Sequence, residues 1–443
     1  MENRMGTEKI SRLVMRTGMP LMLSLLINSL YNFVDSVFVS RVAEDALTAL
    51  SLSAPVQVFV SALGLGNAVG LNAAISRALG EGRPDKVKKT ASAAIFIALC
   101  SWVLICAACL VGVRWYFDWQ SGGNAAIAAY GRDYLSICML FSLGQMGQWV
   151  FDRFVIASGK SHLFLFTLSA ASITNLILDP VFIFGFGMGT RGAAIATVIG
   201  QFMGLFAGVY INRRWNREIP FAFTLKPDWE SVRTILRVGV PSTMVQVFTS
   251  LVNIAMNTIL LGFSTTAVAV FGVCNRMQGL CTVGVHGIDN GLIPIVAYNY
   301  GARKPDRIRE AIRWALIYSL LLYVAFLAAL ELAPGAVMRL FNASDTMMGI
   351  GRSAVRLMAL AWLVSIPNLV VAAGLQGLSL PRPSMLLTML RQAILPVGLS
   401  LAVRGFGNLN LVWLAFVAAE ALCVPLGMAM WRRSYHAVVL GRS

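Results

Sequence analysis

The sequence predicts an all-α polytopic membrane protein whose twelve transmembrane helices form two parallel repeats of six helices each. Only 13% of its 443 residues are charged, against roughly 25% in soluble domains, and the mean hydropathy is +0.72. Twelve apolar segments reach the length of about 20 residues that a helix needs to cross a bilayer. The second half of the chain also aligns with the first, without a gap, when Pro241 is placed on Pro20.

The predicted helices account for nearly the whole chain. They lie, in chain order, at residues 14–40, 46–76, 90–113, 130–157, 163–186, 192–212, 234–262, 266–299, 311–333, 350–378, 384–403 and 409–431. The longest polar linker, around residues 212–237, is too short to fold as a soluble domain. The polar residues 1–18 lead into an apolar run longer than that of a cleavable signal peptide, so we expect the first helix to be retained.

The distribution of Lys and Arg predicts the topology. With twelve helices and both ends on one side, 27 of the 36 basic residues fall on that side, eight fall on the other, and Arg276 lies within a helix. This is the positive-inside bias, so both termini are expected in the cytoplasm. The net charge of +16 therefore indicates contact with anionic lipid headgroups rather than nucleic-acid binding.

The internal alignment predicts two units, an N-terminal lobe of residues 1–221 and a C-terminal lobe of residues 222–443. In the register that places Pro241 on Pro20, Asn253 falls on Asn32. The polar loop at 300–309 falls on the loop at 79–88, with Gly, Pro and Asp in register. Because each copy holds an even number of helices, the copies have the same orientation, which is a transporter architecture. Chance similarity among apolar helices is the alternative, but these matches include polar loop residues.

Two aspartates lie within predicted helices of the N-terminal half. Asp35 is in the first helix and Asp179 is in the fifth. A carboxylate in hydrocarbon is energetically costly, so it normally faces protein or a water-filled cavity. At the equivalent positions of the second half stand Met256 and Ser400, which assigns the acidic site to the N-terminal half alone. We expect it to exchange protons or small cations; the alternative is that each acid bonds neighbouring helices as a structural group.

Helical spacing predicts which polar residues surround the acids. Asp35 lies six residues before Arg41 and Thr197 six residues after Arg191, which places both roughly 9 Å below the outer boundary. Asn175 lies one turn before Asp179 and therefore on the same helical face. Pro180 removes a backbone hydrogen bond beside Asp179 and favours a kink. A polar stripe with spacing i, i+3, i+4 and i+7 runs along the first helix through Asn28, Tyr31, Asn32 and Asp35.

The second half carries its own polar residues. Arg276 and Glu420 each lie about eleven residues from the outer ends of their helices and could pair. His286 and Asp289 lie deeper in the eighth helix. This set either locks the half together or lines a cavity. The glycines within residues 64–70 lack a preceding strand, so they predict close helix packing rather than a nucleotide site.

The sequence contains no sign of an enzyme or of a resident cofactor. The seven cysteines all fall in predicted helices, and the three histidines show no metal-ligand spacing. No Ser/His/Asp or Cys/His set is present that would support covalent chemistry. We therefore expect a coupling ion, H⁺ or Na⁺, but no other cofactor.

Several strings together resemble the multidrug and toxic compound extrusion (MATE) transporters over nearly the whole chain. They are residues 32–39, 80–82, 175–180, 187–189, 192–197 and 298–302. The resemblance implies two six-helix lobes around a central cavity that opens alternately to either side, and export of amphipathic, often cationic compounds against inward H⁺ or Na⁺ flow. It also implies the inner (cytoplasmic) membrane of a bacterium.

In the prokaryotic branch with acids in the N-terminal lobe, the resemblance assigns the cation site to four positions, with Tyr31 nearby. They are Asp35, Asn175, Asp179 and Thr197, which would also hold Na⁺ if Na⁺ is the coupling ion. The chain departs from the family pattern in two places. Asp152 or Arg153 stands where many members have Asn, and residues 286–291 replace a usual Ser-Gln-Gly stretch.

Two other functions are compatible with the sequence. A lipid-linked oligosaccharide flippase of the same superfold would need basic residues in its cavity, and Arg276 is the candidate that we identify. A receptor or channel fits two six-helix copies with buried acids less well. The expected partners are a small organic substrate and membrane lipids, without nucleic acid and with the protein as a monomer.

Overall fold

The computed structural model describes residues 4–40, 44–121, 124–222, 224, 226–332 and 345–441. Within these residues, the side chains at 28–40, 44–48, 51, 250, 265, 276, 280, 325–326 and 329–331 also lie outside the description. In the described part of the chain every regular element is helical. A short helix, Arg4–Thr7, precedes the long ones.

The long helices form twelve successive spans. Spans 1 to 3 are Ile10–Ser40, Glu44–Gly80 and Pro84–Gln120; span 4 consists of Ala125–Leu140 and Leu143–Ala157, and span 5 of His162–Pro180 followed by the π-helix Val181–Gly185. Spans 6 to 10 are Gly189–Trp215, Trp229–Leu261, Thr265–Gly301, Pro305–Leu332 and Asp345–Gly377. Span 11 consists of Pro381–Met389, the π-helix Leu390–Ile394 and Leu395–Arg404, and span 12 is Leu409–Ser434. The predicted all-α fold of twelve helices is confirmed.

Length and composition support membrane crossing for most of these spans individually. Among the described residues, nine helices are long and apolar enough to cross a bilayer. Span 8 is bent by 42° near residue 280, and it becomes the tenth if its two parts are taken together as a single span. Span 4 is broken at residues 141–142 into helices of 16 and 15 residues, so neither piece reaches the length alone. Span 9 begins with the charged turn after Pro305.

The helices extend beyond the predicted apolar segments at several ends. The largest difference is at span 3, which was predicted to end at residue 113 and ends at Gln120. Its start, predicted at residue 90, is Pro84, where a proline at the first helical position needs no backbone donor. Hydropathy detects the hydrocarbon-facing part of a helix, whereas the backbone hydrogen bonds continue into the polar boundary.

The chain divides into two compact units. The first comprises residues 23–243, and the second comprises residues 2–22 with 244–443. The first part of span 1 therefore belongs to the second unit, and the first part of span 7 belongs to the first. The lobe boundary predicted from the sequence, between residues 221 and 222, marks the end of the first repeat. It differs from the boundaries of these compact units and stays a prediction.

Close helix crossings at glycines explain this assignment. In the first unit, a Cβ on Gly70 of span 2 would lie 2.2 Å from the Ile235 carbonyl oxygen of span 7. In the second unit, a Cβ on Gly287 of span 8 would lie 2.6 Å from the Met22 backbone nitrogen of span 1. Both crossings put backbone against backbone, as small residues allow in membrane helices. The predicted close packing at residues 64–70 is confirmed.

The turns after spans 2 and 8 show the repeat in backbone geometry. Gly82 has φ +65°, and Arg303, which the internal alignment places on Gly82, has φ +55°. Both values lie in the left-handed region, which glycine adopts without the steric cost that other residues incur. The equivalent turns therefore use the same conformation although only one of them has glycine.

We expect Gly82→Ala to lower the stability of the protein by about 1 kcal/mol, because alanine is strained at positive φ. A Cβ at Gly82 would meet no atom within 4 Å, so the effect is conformational rather than steric. Arg303→Gly should act in the opposite direction, and thermal unfolding in detergent measures both changes. Equal melting temperatures for Gly82→Ala and the unchanged protein would contradict this explanation.

The same turn holds an ion-paired carboxylate. Glu81 accepts hydrogen bonds from Arg77 Nε at 2.9 Å and from Lys86 Nζ at 3.3 Å. Partial burial tends to raise the pKa of Glu81, but the two cations outweigh it and the pKa falls below its ordinary value of 4.5. The stabilisation by Glu81 is therefore complete above about pH 4.5 and is lost as the pH falls through the lowered pKa.

Glu81→Gln should consequently melt below the unchanged protein at about pH 7, and the two melting temperatures should converge toward about pH 3. Melting curves over this pH range test the prediction. A difference that stays constant down to the lowest pH would show that Glu81 contributes through packing rather than through its charge.

The second unit secures the N-terminal helix with a polar cluster at the end of span 8. Asn299 Nδ2 donates to the Met5 carbonyl at 3.1 Å, and Arg307 donates to the carbonyls of Met5 and Glu8 at 3.1 and 2.7 Å. Arg307 Nε also donates to Asn299 Oδ1 at 3.0 Å. Carbonyls at a helix end lack partners within the helix, and cationic side chains satisfy them here.

Candidate cation site

The first unit contains a buried carboxylate on span 5. The Asp179 side chain has no exposed surface, and Asn175, one turn earlier, is 2% exposed. Both residues project from the same face of the helix His162–Pro180, as the i, i+4 spacing predicts. A carboxylate removed from water in this way needs hydrogen-bond donors or a bound cation.

Asn175 connects this carboxylate to span 6. Its amide nitrogen lies 3.3 Å from Asp179 Oδ1 and 3.2 Å from Thr197 Oγ1. With the nitrogen and oxygen of the amide exchanged, the nitrogen donates to Asp179 Oδ2 at 2.8 Å, and the oxygen accepts from Thr197 Oγ1 at 3.2 Å. The exchanged orientation pairs every donor with an acceptor, so it is chemically preferred. Asp179, Asn175 and Thr197 thus form one hydrogen-bonded set.

A glycine on span 6 makes this contact possible. A Cβ at Gly200, close to one turn after Thr197, would lie 2.7 Å from the Ala171 carbonyl oxygen and 3.0 Å from Asn175 Cβ. A larger residue would push span 6 away from span 5 and lengthen the Asn175–Thr197 contact. Sequence reasoning did not identify Gly200, because only the packing shows which helical glycine faces the site.

Pro180 changes the backbone directly after Asp179. The α-helix ends at Pro180, and Val181–Gly185 continue as a π-helix, a rare conformation that is frequent at functional sites. Gly187, with φ +65°, then turns the chain into span 6. The predicted disturbance beside the acid is therefore present, in the form of a π-helix.

The residues predicted on span 1 lie in a continuous helix, Ile10–Ser40. Their side chains are outside the described part of the chain, so their positions relative to Asp179 stay predictions. These residues are Asn28, Tyr31, Asn32 and Asp35.

The described set offers oxygen ligands of a particular kind. It combines one carboxylate, one amide and one hydroxyl, which suit a proton or a small hard cation such as Na⁺. Among the described residues no group of three or more His, Cys, Asp or Glu is arranged to hold a metal ion.

Among the described side chains of the first unit, a second buried acid, Asp152, was not predicted as a site residue. Asp152 on span 4 is 2% exposed, and Thr167 Oγ1 donates to its Oδ1 at 2.5 Å. Its Oδ2 has no hydrogen-bond partner among the described residues. In the sequence, Asp152 stood out only as a departure from the family pattern, whereas the structure buries it against span 5.

In the second unit Glu420 pairs with Arg391. Arg391 Nη1 donates to Glu420 Oε1 at 2.7 Å, and Asn368 Nδ2 donates to Oε2 at 2.9 Å. The suggested partner, Arg276, has a side chain outside the described part. The 27 basic residues that the sequence analysis assigns to the cytoplasmic side include Arg391, and for this residue the assignment is wrong: it lies in the middle of span 11 and is 4% exposed. The ion pair allows a guanidinium at this depth.

The remaining candidates of the second unit lie on span 8. Asp289 is 7% exposed, and its Oδ1 has no hydrogen-bond partner among the described residues. The His286 side chain is exposed, and its carbonyl accepts from Asn290 Nδ2 at 2.8 Å. These contacts do not join His286 and Asp289 to the Arg391–Glu420 pair by a hydrogen bond.

Comparison with known proteins follows the repeat. The sequence matches the MatE family over residues 20–181 and again over residues 241–401, so the two matches begin at Pro20 and Pro241, the residues that the internal alignment pairs. The multidrug export protein MepA of Staphylococcus aureus is 24% identical over 427 residues, which cover 95% of this chain and 93% of MepA.

Solved structures show the same fold. The outward-facing conformation of a multidrug resistance MATE family transporter superimposes with a TM-score of 0.91 at 23% identity, covering 99% of this chain and 98% of the other. A MOP superfamily transporter from Pyrococcus furiosus gives a TM-score of 0.90 at 23% identity, covering 98% of each chain. The family matches cover most of the sequence, and the chain belongs to the MatE family, the multidrug and toxic compound extrusion transporters.

Proposed function

We propose that this transporter exports amphipathic, often cationic organic compounds by alternating access, in exchange for H⁺ or Na⁺ entering the cell. The observation that carries the proposal is the buried Asp179, joined through Asn175 to Thr197 on the next helix. The names of similar proteins, a multidrug export protein and a multidrug resistance transporter, support the export of drugs.

The proposed exchange depends on the charge of the site. When Asp179 binds a cation, the buried negative charge is neutralised and the surrounding helices can pack around it. When the cation leaves, the carboxylate needs solvent or another partner. We place Asp35 opposite Asp179, where two like charges can share one proton. A Na⁺ ion held by the carboxylates, Asn175 and Thr197 would serve equally, so the ion is decided by experiment.

The proposed setting follows from topology and from the family. The protein would lie in the inner membrane of a bacterium as a monomer, with both termini in the cytoplasm and anionic lipids along its basic side. Arg391 adds a second interior cation, but Glu420 already neutralises it. The flippase alternative therefore gains no unpaired charge for an anionic headgroup from the described residues.

Export of ethidium from intact cells tests this function. Cells that produce the protein should extrude ethidium against its gradient, and a protonophore together with Na⁺ removal should stop extrusion. Production of the Asp35→Asn, Asp179→Asn double variant at equal membrane levels is the control. Energised export by that variant at the normal rate would refute the proposal, as would single-channel currents in planar bilayers.

A further inference from the structure

The first unit carries an apolar groove on its surface that the cation site does not use. The groove has a volume of about 260 Å³ and lies between span 2, span 3 and the first part of span 4. Phe59 and Leu104 on its rim are 52% and 60% exposed. Span 3 is the most apolar of the membrane-length helices in the described part of the chain, and most of its residues are not buried by protein. The groove therefore faces hydrocarbon rather than water.

The groove has the length of one lipid leaflet. Its lining residues on span 3 run from Leu104 to Tyr116, which corresponds to about 18 Å at 1.5 Å per residue. Half of the hydrocarbon core of a bilayer is about 15 Å thick. The apolar segment predicted for span 3 ends at residue 113, so the groove runs from the interior of the bilayer to one of its boundaries. A single acyl chain of a phospholipid matches it in length.

The wall of the groove suits a hydrocarbon chain and no polar group. The Tyr116 hydroxyl already donates to the Leu52 carbonyl at 2.7 Å. Apart from the indole of Trp115, the other lining side chains are hydrocarbon or thioether. Gly112 keeps the groove open, because a Cβ at this position would meet no atom within 4 Å. The polar part of any occupant must therefore lie beyond the end of the groove.

A cation stands where the headgroup of such a lipid would lie. Arg114 follows the apolar segment directly and is exposed, and no carboxylate among the described residues forms an ion pair with it. The nearest acid along the helix, Asp118, pairs instead with Arg132. Trp115 and Trp119 stack beside Arg114 with ring centroids 6.4 Å apart, as is typical of the aromatic belt at a membrane boundary. A basic side chain at this depth attracts anionic headgroups.

We propose that this groove binds one acyl chain of an anionic phospholipid, whose phosphate group lies against Arg114. On the proposed topology the lipid belongs to the outer leaflet, so it is distinct from the anionic lipids along the basic cytoplasmic side. Its chain would contact Leu135 and Met139, which line the groove in the last turns before span 4 breaks. The lipid would thus hold three helices together at that break. This binding does not depend on drug export and is measured without transport.

Photo-cross-linking in nanodiscs that hold one protein copy each tests the proposal. Phosphatidylglycerol and phosphatidylethanolamine, carrying the same diazirine-labelled acyl chain, are added separately, and the cross-linked peptides are identified by mass spectrometry. We expect phosphatidylglycerol to label the groove peptides of spans 2 and 3 about fivefold more than phosphatidylethanolamine, which is the preference that one cation near the surface supplies. Arg114→Gln should bring this ratio close to one.

Gly112→Phe tests the groove itself. The ring would occupy the space of the acyl chain and should lower labelling of the groove peptides about tenfold, which is the effect of leaving roughly two methylene groups unburied. Gly398→Phe is the matched control, because a Cβ at Gly398 also meets no atom within 4 Å but Gly398 lies outside the groove. Labelling of the basic cytoplasmic turns should stay unchanged in both variants.

Three results would overturn the inference. They are equal labelling of the groove by the two lipids in the unchanged protein, a fivefold preference that survives in Arg114→Gln, and full labelling of the groove in a Gly112→Phe protein that melts normally. Arg114→Gln alters an exposed side chain, so it remains informative even if Gly112→Phe does not fold.

Discussion

Replacing Asp179 by Asn should abolish coupled export and leave the fold intact. Asn has nearly the same shape and can still bond Asn175, but it cannot release a proton or hold a cation by charge. In proteoliposomes, uphill substrate movement should fall to the rate of empty vesicles. The melting temperature should stay near that of the unchanged protein, because the substitution removes a buried charge without leaving a cavity.

Asp152→Asn provides the matched control. Asp152 is also a buried acid of the first unit, but it bonds Thr167 and lies outside the Asp179 set. We expect it to retain uphill transport. If Asp179→Asn transports normally, or if both variants lose transport equally with unchanged folding, the assignment of coupling to Asp179 is wrong.

Adding a methyl group at the helix crossings should cause the largest loss of stability. A Cβ at Gly70 or Gly287 would meet backbone atoms of another helix at 2.2 and 2.6 Å, and backbone cannot rotate away as a side chain can. Gly70→Ala and Gly287→Ala should each cost about 1–3 kcal/mol or more, which is typical of overpacking. Thermal unfolding in detergent and the yield of monodisperse protein measure the effect.

Gly272→Ala separates crowding from the general effect of alanine in a helix. Gly272 lies on span 8 like Gly287, but a Cβ there would meet no atom within 4 Å. Alanine should stabilise this position by up to about 1 kcal/mol, because it favours the helix over glycine. Gly287→Ala melting at or above the temperature of Gly272→Ala would exclude close backbone contact as the role of this glycine.

Helical periodicity and hydropathy predicted the spans and the association of Asn175 with Asp179, because both follow from spacing along a single helix. Thr197 was predicted from depth and from the family, and the structure places it within hydrogen-bond distance of Asn175. The partner of Glu420 could not be predicted in this way. Depth along span 8 suggested Arg276, whereas contact depends on which faces of spans 11 and 12 meet, and these faces place Arg391 there.

Some features required packing rather than pattern. The glycines within residues 64–70 indicated close packing, but only three-dimensional contacts show that Gly66 and Gly70 face the first part of span 7, whereas Gly64 faces Trp149 of span 4. A cavity around Trp362 and Arg391 combines residues from five spans. The periodicity within one helix does not show which side chains of different helices line the same cavity.

The proposed coupling role of Asp179 is tested most directly by substrate movement in proteoliposomes under separately imposed pH and Na⁺ gradients. We predict that a pH gradient without Na⁺ drives uphill export through the unchanged protein and does not drive it through Asp179→Asn. If a Na⁺ gradient at uniform pH drives export and a pH gradient alone does not, the site carries sodium instead of a proton. Undiminished export by Asp179→Asn under either gradient would contradict the role of the buried carboxylate itself.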